Sequence, residues 1–216
     1  MSTYRILLFA LLATLLPAFG FAQLKQSPAD LLAAGKMRYG VEKAAIKYEF
    51  SGKSSGTEMV YFTDYGWLET IKTDKTSKAF NFESTTRVTT IQKGNRRAWN
   101  NEGSDFASVV NDRFMSPALE EVVPTPDLYY GEEVIKRKNA RKVGTDRILG
   151  RECTIYEVEY EASKLWVWKG IVLKSEKKLM GSDKEVLEAI QIDEEWKVEP
   201  SVFELPTGVK VSGMDW

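Results

Sequence analysis

Ala44-Ala45-Ile46-Lys47-Tyr48-Glu49-Phe50 is the stretch from which the architecture can be inferred most directly. Apolar or aromatic side chains alternate here with charged ones at a period of two residues. Successive side chains of an extended strand point to opposite faces, so the alternation predicts a strand with one buried and one solvated face. Gly52 and the cluster Ser54-Ser55-Gly56 follow it and predict a turn.

The chain continues from this strand as a series of short strands and turns. Residues 57–63 favour β-structure and end at the turn 64–66, after which residues 67–71 begin the next strand. Residues 84–92 alternate, and residues 96–100 form their return strand. The first half is therefore predicted to be an antiparallel meander.

The second half shows the same rhythm after residue 134. Tyr156, Val158 and Tyr160 occupy one face of its first long strand, while Glu157 and Glu159 occupy the other. Further strands follow, and a last segment ends the sheet. The predicted segments are residues 152–160, 165–168, 171–174, 186–193 and 203–211.

Two regions lack this alternation and are predicted to contain helices. Residues 27–35 begin with Ser-Pro and end with Gly, which is typical of a short helix. Within residues 104–133, the segments 106–110 and 115–123 predict one or two short helices that connect the halves of the sheet and lie across it. The predicted class is mainly β (α+β), with a short N-terminal helix and one or two further helices over the sheet.

The N-terminus predicts export. Residues 1–22 contain one cation, an apolar segment and the small-residue pattern Gly20-Phe21-Ala22, as in a secretory signal peptide. A membrane anchor is the alternative, but the apolar segment is shorter than about 20 residues and Pro17 interrupts it. We therefore expect a single domain at 23–216, without a stable membrane span after cleavage, in the periplasm or outside a Gram-negative bacterium.

Composition excludes several classes of function. The 216 residues include no histidine and one cysteine, so a Ser-His-Asp triad, a histidine-based zinc site and an internal disulfide are all impossible. The net charge of −1 lacks the positive surplus typical of nucleic-acid binders, so no nucleic-acid partner is expected. Cys153 is expected to be buried in a strand.

The order of several motifs resembles the LolA/LolB-like family of periplasmic lipoprotein carriers, including uncharacterised secreted bacterial proteins of that superfamily. The motifs are Ile148-Leu149-Gly150-Arg151-Glu152-Cys153-Thr154-Ile155-Tyr156, Leu165-Trp166-Val167-Trp168, Ile171-Val172-Leu173-Lys174, Phe203-Glu204-Leu205-Pro206-Thr207-Gly208-Val209 and an opening hairpin at residues 56–66. The resemblance implies a curved antiparallel sheet, an incomplete β-barrel, with helices over a hydrophobic concavity that can hold acyl chains.

Alternating aromatic residues are candidates to line such a concavity, because a half-barrel is too wide to be filled by its own side chains. Packing of the core by the same residues is the alternative. The candidates are Tyr48, Phe50, Tyr61, Tyr156, Tyr160, Trp166 and Trp168.

The sharpest charge feature is a basic segment at residues 136–142. It could contact an anionic lipid headgroup, a phosphorylated glycan or an anionic membrane, or it could be a solvated edge strand whose cations discourage edge pairing. Its candidate anion contacts are Lys136, Arg137, Lys138, Arg141 and Lys142.

An enzyme would have to use carboxylates, hydroxyls and lysines alone. Asp64 with Glu69, or Glu58 with Asp64, could form a carboxylate pair, and Ser163-Lys164 a dyad, but neighbours on a strand point to opposite faces. We expect no enzymatic activity, cofactor or metal. The leading hypothesis is a carrier of a lipid, an acyl chain or an acylated protein. The alternative is a non-catalytic envelope module that fills its own barrel and binds another envelope protein.

Overall fold

The computed structural model describes residues 37–79, 82–94, 96–111, 139–179 and 183–212. These residues form one curved sheet of twelve strands that does not close into a barrel. The predicted signal peptide, the N-terminal helix and the segment 115–123 lie outside the described residues. Where the chain is described, its only helices are three short 3₁₀ helices, at Asp64–Gly66, Glu159–Glu161 and Pro200–Phe203.

Strands β1 to β5 form the predicted meander, β6 extends it, and β7 to β11 form a second one. The strands are β1 Ala44–Gly52, β2 Ser54–Thr63, β3 Leu68–Ala79, β4 Phe82–Lys93, β5 Arg96–Asn101, β6 Phe106–Asn111, β7 Arg141–Ile148, β8 Arg151–Val158, β9 Ser163–Trp168, β10 Ile171–Lys178, β11 Lys184–Asp193 and β12 Lys210–Ser212.

The two meanders join through antiparallel pairing of β1 with β11, so the spatial order is β12-β6-β5-β4-β3-β2-β1-β11-β10-β9-β8-β7. Residues 194–209 carry the chain from β11 to the far edge of the sheet. There β12 pairs with β6, and this pairing is parallel whereas the others are antiparallel. The last segment thus does end the sheet, through the three residues Lys210–Ser212.

The structure corrects the prediction of a helix at residues 106–110. Phe106–Asn111 is strand β6, with Ala107 and Val109 buried on one face and Phe106 and Val110 exposed on the other. Because both faces carry apolar side chains, the period of two is hidden in the sequence. No helix that covers the sheet is found in the described ranges, so that part of the predicted fold class is not supported there.

The sheet curves towards the side that carries Ile46. The ammonium of Lys75 on β3 lies 2.7 Å from the carboxylate of Glu185 on β11, across two intervening strands. In a flat sheet these strands are about 14 Å apart, so their side chains can meet only on the inside of a curve. We call this side the concave face and the opposite side the convex face.

The crossover at residues 194–209 covers part of the convex face. Trp196 packs between Tyr61 of β2 and Phe203, with ring centroids 5.4 and 6.3 Å apart. The hydroxyl of Thr70 donates a hydrogen bond of 3.0 Å to the carbonyl of Val202. These contacts fix the crossover against β2 and β3.

A second core lies around β1, β2 and the second meander. Ile46, Tyr48, Phe62, Leu173 and Trp166 belong to one buried cluster. Cys153 belongs to it too and is fully buried in β8, which confirms the prediction for this residue. Burial raises the pKa of its thiol and keeps it in the uncharged form.

Candidate functional site

An apolar lane crosses the concave face from β1 towards β6. Strand register places Ile46 beside Val60, Val60 beside Ile71, Ile71 beside Thr90, and Thr90 beside Trp99. Directly paired residues share a face of the sheet, so these side chains form one row. The row spans about 19 Å, at about 4.8 Å per strand.

The lane becomes more accessible towards β6. Ile46 is fully buried, whereas Ile71, Val88 and Trp99 are half-buried. On β6, Val110 is 38% exposed and Phe106 58% exposed. The apolar surface of the concave face is therefore self-packed at β1 and β2 and accessible over β3 to β6.

A buried polar cluster borders the lane at β3. Glu69 is 3% exposed, accepts a hydrogen bond of 2.6 Å from the hydroxyl of Tyr39, and pairs at 2.8 Å with the guanidinium of Arg38. Tyr39 stacks on Phe62 at 4.8 Å and lies against Gly66. A Cβ on Gly66 would come within 2.4 Å of the Tyr39 ring, so the close approach requires glycine. Burial raises the pKa of Tyr39 well above its usual value, which keeps the hydroxyl protonated as a donor.

Glu58 borders the other side of the lane. It lies beside Tyr48 and Thr73 in the register and accepts a hydrogen bond of 2.8 Å from the Thr73 hydroxyl. Burial raises the pKa of Glu58, and the charge of Glu69 adds to the effect, while Thr73 and Lys75 act in the opposite direction. The lane thus runs between two carboxylates held in different environments.

The predicted lining residues separate into three groups. Tyr48, Phe50 and Trp166 are buried, at 4%, 8% and 8% exposure, and Trp168 packs on the same core. Tyr61 faces the other way and packs on Trp196, so it does not share the concave face. Four of the candidates are therefore core residues, and Tyr61 lies on the convex face.

Tyr156 and Tyr160 also lie apart from the lane. Tyr156 forms a small cluster with Val167. Strand β8 ends at Val158, and Tyr160 lies in the 3₁₀ helix that follows, with 70% of its surface exposed. The predicted strand through residue 160 was therefore two residues too long, and Tyr160 does not continue the face of Tyr156.

The basic segment lies partly outside the described residues, which omit Lys136, Arg137 and Lys138. Arg141 and Lys142 are exposed on β7, which is an edge strand of the sheet. Arg141 forms an exposed ion pair of 2.8 Å with Glu157. The edge position agrees with the interpretation of this segment as a solvated edge strand.

The candidate catalytic groups are not brought together as pairs. Asp64 lies in the turn between β2 and β3, while the carboxylate of Glu69 is held by Arg38 and Tyr39. Glu58 lies within β2, six residues before Asp64, which separates the two backbones by about 20 Å along an extended strand. Ser163 is buried and Lys164 exposed, on opposite faces of β9.

Ile71, Val88 and Trp99 were missed as lining candidates. Each is a single apolar side chain among threonines, lysines and other polar residues of β3, β4 and β5. The available signal was the tight turn after Lys93, which fixes the pairing of β4 with β5 and places Trp99 beside Thr90.

No protein-family model matches the chain, and no curated protein matches it. Among solved structures, an uncharacterised conserved protein from Thermus thermophilus matches 85% of this chain and 97% of its own, at 8% identity and a TM-score of 0.49. MucB matches 85% of this chain, at 13% identity and a TM-score of 0.44. A chain of the Pseudomonas aeruginosa MucA/MucB complex matches 87% of this chain, at 12% identity and a TM-score of 0.43. The chain spans 64% and 62% of the lengths of these last two chains.

Proposed function

We propose that this protein is an exported, non-enzymatic carrier that holds a lipid, an acyl chain or an acylated protein segment on its concave face. The ligand lies along the apolar lane over β3 to β6, in contact with Ile71, Val88 and Trp99. The resemblance to LolA/LolB-like carriers implies a site of this type. Its proposed lining differs from the seven aromatic residues that the sequence suggested.

The observation that carries the proposal is the gradient of exposure along the lane. At β1 and β2 the concave face is filled by its own side chains, and at β5 and β6 the same face keeps accessible apolar surface. Burying accessible apolar area is worth about 25 cal/mol per Å², so an acyl chain gains free energy there without displacing a packed core.

The polar borders of the lane suit an elongated apolar ligand. Glu69 and Gln92 lie side by side along one border. Glu58 and Thr73 lie side by side along the other, and Val88 follows Thr73 in the register, so the lane is wider at β4. Leaving the lane would bring an acyl chain against these polar groups and desolvate them, which costs free energy. The borders therefore restrict the ligand to one direction across the strands.

A second candidate is an envelope module that binds another protein and holds no small ligand. The burial of Tyr48, Phe50 and Trp166 favours it, because these aromatic rings fill the β1 side of the concave face themselves. In the described ranges, no helix has the length and apolarity to span a membrane.

The experiment is a titration with a fluorescent fatty acid, alongside native mass spectrometry of protein purified gently from a bacterial envelope. The carrier proposal expects saturable binding and a lipid-sized adduct. Trp99→Ala should weaken binding by about tenfold, since a large aromatic contact is worth about 1–2 kcal/mol.

Tyr160→Ala is the matched control, because it removes an exposed aromatic ring far from the lane. It should leave the affinity within about twofold, as expected for a side chain outside the site. A clean apo mass together with no saturable binding would overturn the carrier proposal and leave the protein-binding module.

A further inference from the structure

A second cavity lies away from the lane, at the ends of β8 to β11. Its volume is about 690 Å³, and its walls come from the second meander, including the start of β7. We call it the lysine groove, after Lys164, Lys177, Lys178 and Lys184, which line it together with Arg141.

The groove has a surplus of positive charge. Three carboxylates also line it, but two of them are already paired, Glu157 with Arg141 at 2.8 Å and Glu176 with Lys174 at 3.4 Å. None of the four lysines of the groove forms an ion pair within the described part of the chain. Like charges placed together in a concavity repel one another and raise the local affinity for an anion.

The groove also contains a buried hydroxyl that lacks a partner. Ser163 lines it, is 7% exposed, and has no hydrogen-bond partner for its Oγ among the described residues. Such buried groups are rare because they cost about 1–3 kcal/mol when unsatisfied, and they often mark the place of a bound ion or water.

The groove opens beside the concave face. Strand register places Ser163 beside Lys177 and Lys177 beside Glu185, and Glu185 belongs to the concave face through its ion pair with Lys75. The carboxylate of Glu185 is stabilised in its charged form by the neighbouring lysines. Burial acts to raise its pKa, but the hydrogen bonds from Lys75 and Ser54 and the charges of Lys75 and Lys177 outweigh burial and lower it.

We propose that the lysine groove binds a phosphoryl group. Each ammonium group is a compact charge with three donors, which can approach the oxygens of a phosphate from several directions. The five cations and three carboxylates that line the groove leave two surplus positive charges, which match a phosphate monoester at neutral pH better than a single carboxylate. The inference goes beyond the carrier proposal, since phosphate binding here does not require an acyl chain on the lane.

The test is a titration of the full chain with inorganic phosphate, followed by amide NMR at constant ionic strength with chloride as the balancing ion. Saturable shifts are expected at Ala162, Lys177, Lys178 and Lys184. The triple variant K164Q/K178Q/K184Q should bind phosphate at least about tenfold more weakly, because each lost charge-assisted contact weakens the complex.

The matched control is K43Q/K47Q/K197Q, which removes the same charge from residues outside the groove. It should keep the affinity within about twofold, since charges far from the groove are screened by salt. Equal losses in both triple variants, with both folded by thermal melting, would overturn the proposal, as would shifts that never saturate.

Two further ligands identify the source of the phosphoryl group. Glycerol 3-phosphate is compared with dihexanoyl phosphatidylglycerol below its micelle-forming concentration. Binding of the lipid about tenfold more tightly would assign the groove to a lipid headgroup, since buried methylene groups add affinity. Equal binding would assign it to water-soluble phosphates, and no binding of either would overturn the proposal. Trp99→Ala should leave the affinity for inorganic phosphate unchanged, which separates a failure of the groove from a failure of the lane.

Discussion

The two faces of β2 to β6 differ in what covers them. On the convex face, the chain's own crossover packs Trp196 and Phe203 against the strands, and both side chains are nearly buried. On the concave face of the same strands, Ile71, Val88 and Trp99 are only half-buried. One sheet thus has a completed core on one side and accessible apolar surface on the other.

Adjacent residues of β3 show the difference at the level of single side chains. Thr70 points to the convex face and anchors the crossover through the carbonyl of Val202. Glu69 points to the concave face, where it is held by Arg38 and Tyr39. The convex face is thus covered by the packed crossover, which stabilises the fold. The concave face combines a fixed polar border with accessible apolar surface.

Truncating an aromatic ring on each face should give the largest contrast. Phe203→Ala should lower the free energy of unfolding by about 3–5 kcal/mol, because a fully buried ring leaves a cavity. Trp99→Ala should cost only about 1–2 kcal/mol, because that side chain is already partly solvated. Urea denaturation of both variants measures the difference, and equal costs would contradict the account of the two faces.

Breaking the buried polar border should have the next largest effect. Glu69→Ala removes the acceptor of the buried Tyr39 hydroxyl and the carboxylate partner of the Arg38 guanidinium, at a cost of about 2–4 kcal/mol. The control is Glu83→Ala, which removes an exposed ion pair with Lys78 and should leave the unfolding midpoint nearly unchanged, because water and salt screen such pairs. Equal unfolding midpoints for the two variants would show that the border does not hold the concave face.

Much of this contrast could not be predicted from the sequence. The alternation over residues 44–50 predicts β1 and its buried face, because only one face of that strand is apolar. Residues 59–62 are continuously apolar since both faces of β2 are covered there, so the sequence could not place Tyr61 on the convex face. Strand β6 was missed for the same reason, because apolar side chains lie on both of its faces.

The strand pairing that joins the two meanders could not be predicted from the sequence either. Strand β1 pairs with β11, which lies far away along the chain, and no local turn fixes the register of this pair. Local turns fix the strand pairing in both sites, because the lane lies within the first meander and the lysine groove within the second. The sites were missed for another reason: the curvature of the sheet, which decides which strand faces stay accessible, has no local pattern in the sequence.

Removing the anchor of the crossover should have a smaller effect. Thr70→Val keeps the side-chain shape but leaves the Val202 carbonyl without its donor, at a cost of about 1 kcal/mol. Thr90→Val is the control on the concave face and should change stability by less than about 0.5 kcal/mol. If both substitutions shift the denaturation midpoint equally, the hydrogen bond to the crossover does not contribute to stability.

The smallest expected effect is a pH dependence at Glu58. Burial raises its native pKa above that of the unfolded chain, so the folded protein binds this proton more tightly. Stability is therefore gained as the pH falls through the raised pKa and lost as it rises from about pH 4 towards neutrality. Glu58→Gln removes this titration, so the wild type should lose more stability than the variant between these pH values. Parallel losses in urea unfolding would contradict the raised pKa.

Photo-crosslinking with a diazirine fatty acid tests the central claim most directly, because it reports where the acyl chain lies. The crosslinked protein is digested and the modified peptides are identified by mass spectrometry. We predict saturable labelling of peptides that contain Ile71, Val88 and Trp99, on the concave side of β3 to β5. Labelling confined to Tyr160, or to the crossover around Trp196 and Phe203, would contradict an acyl-binding lane on this face.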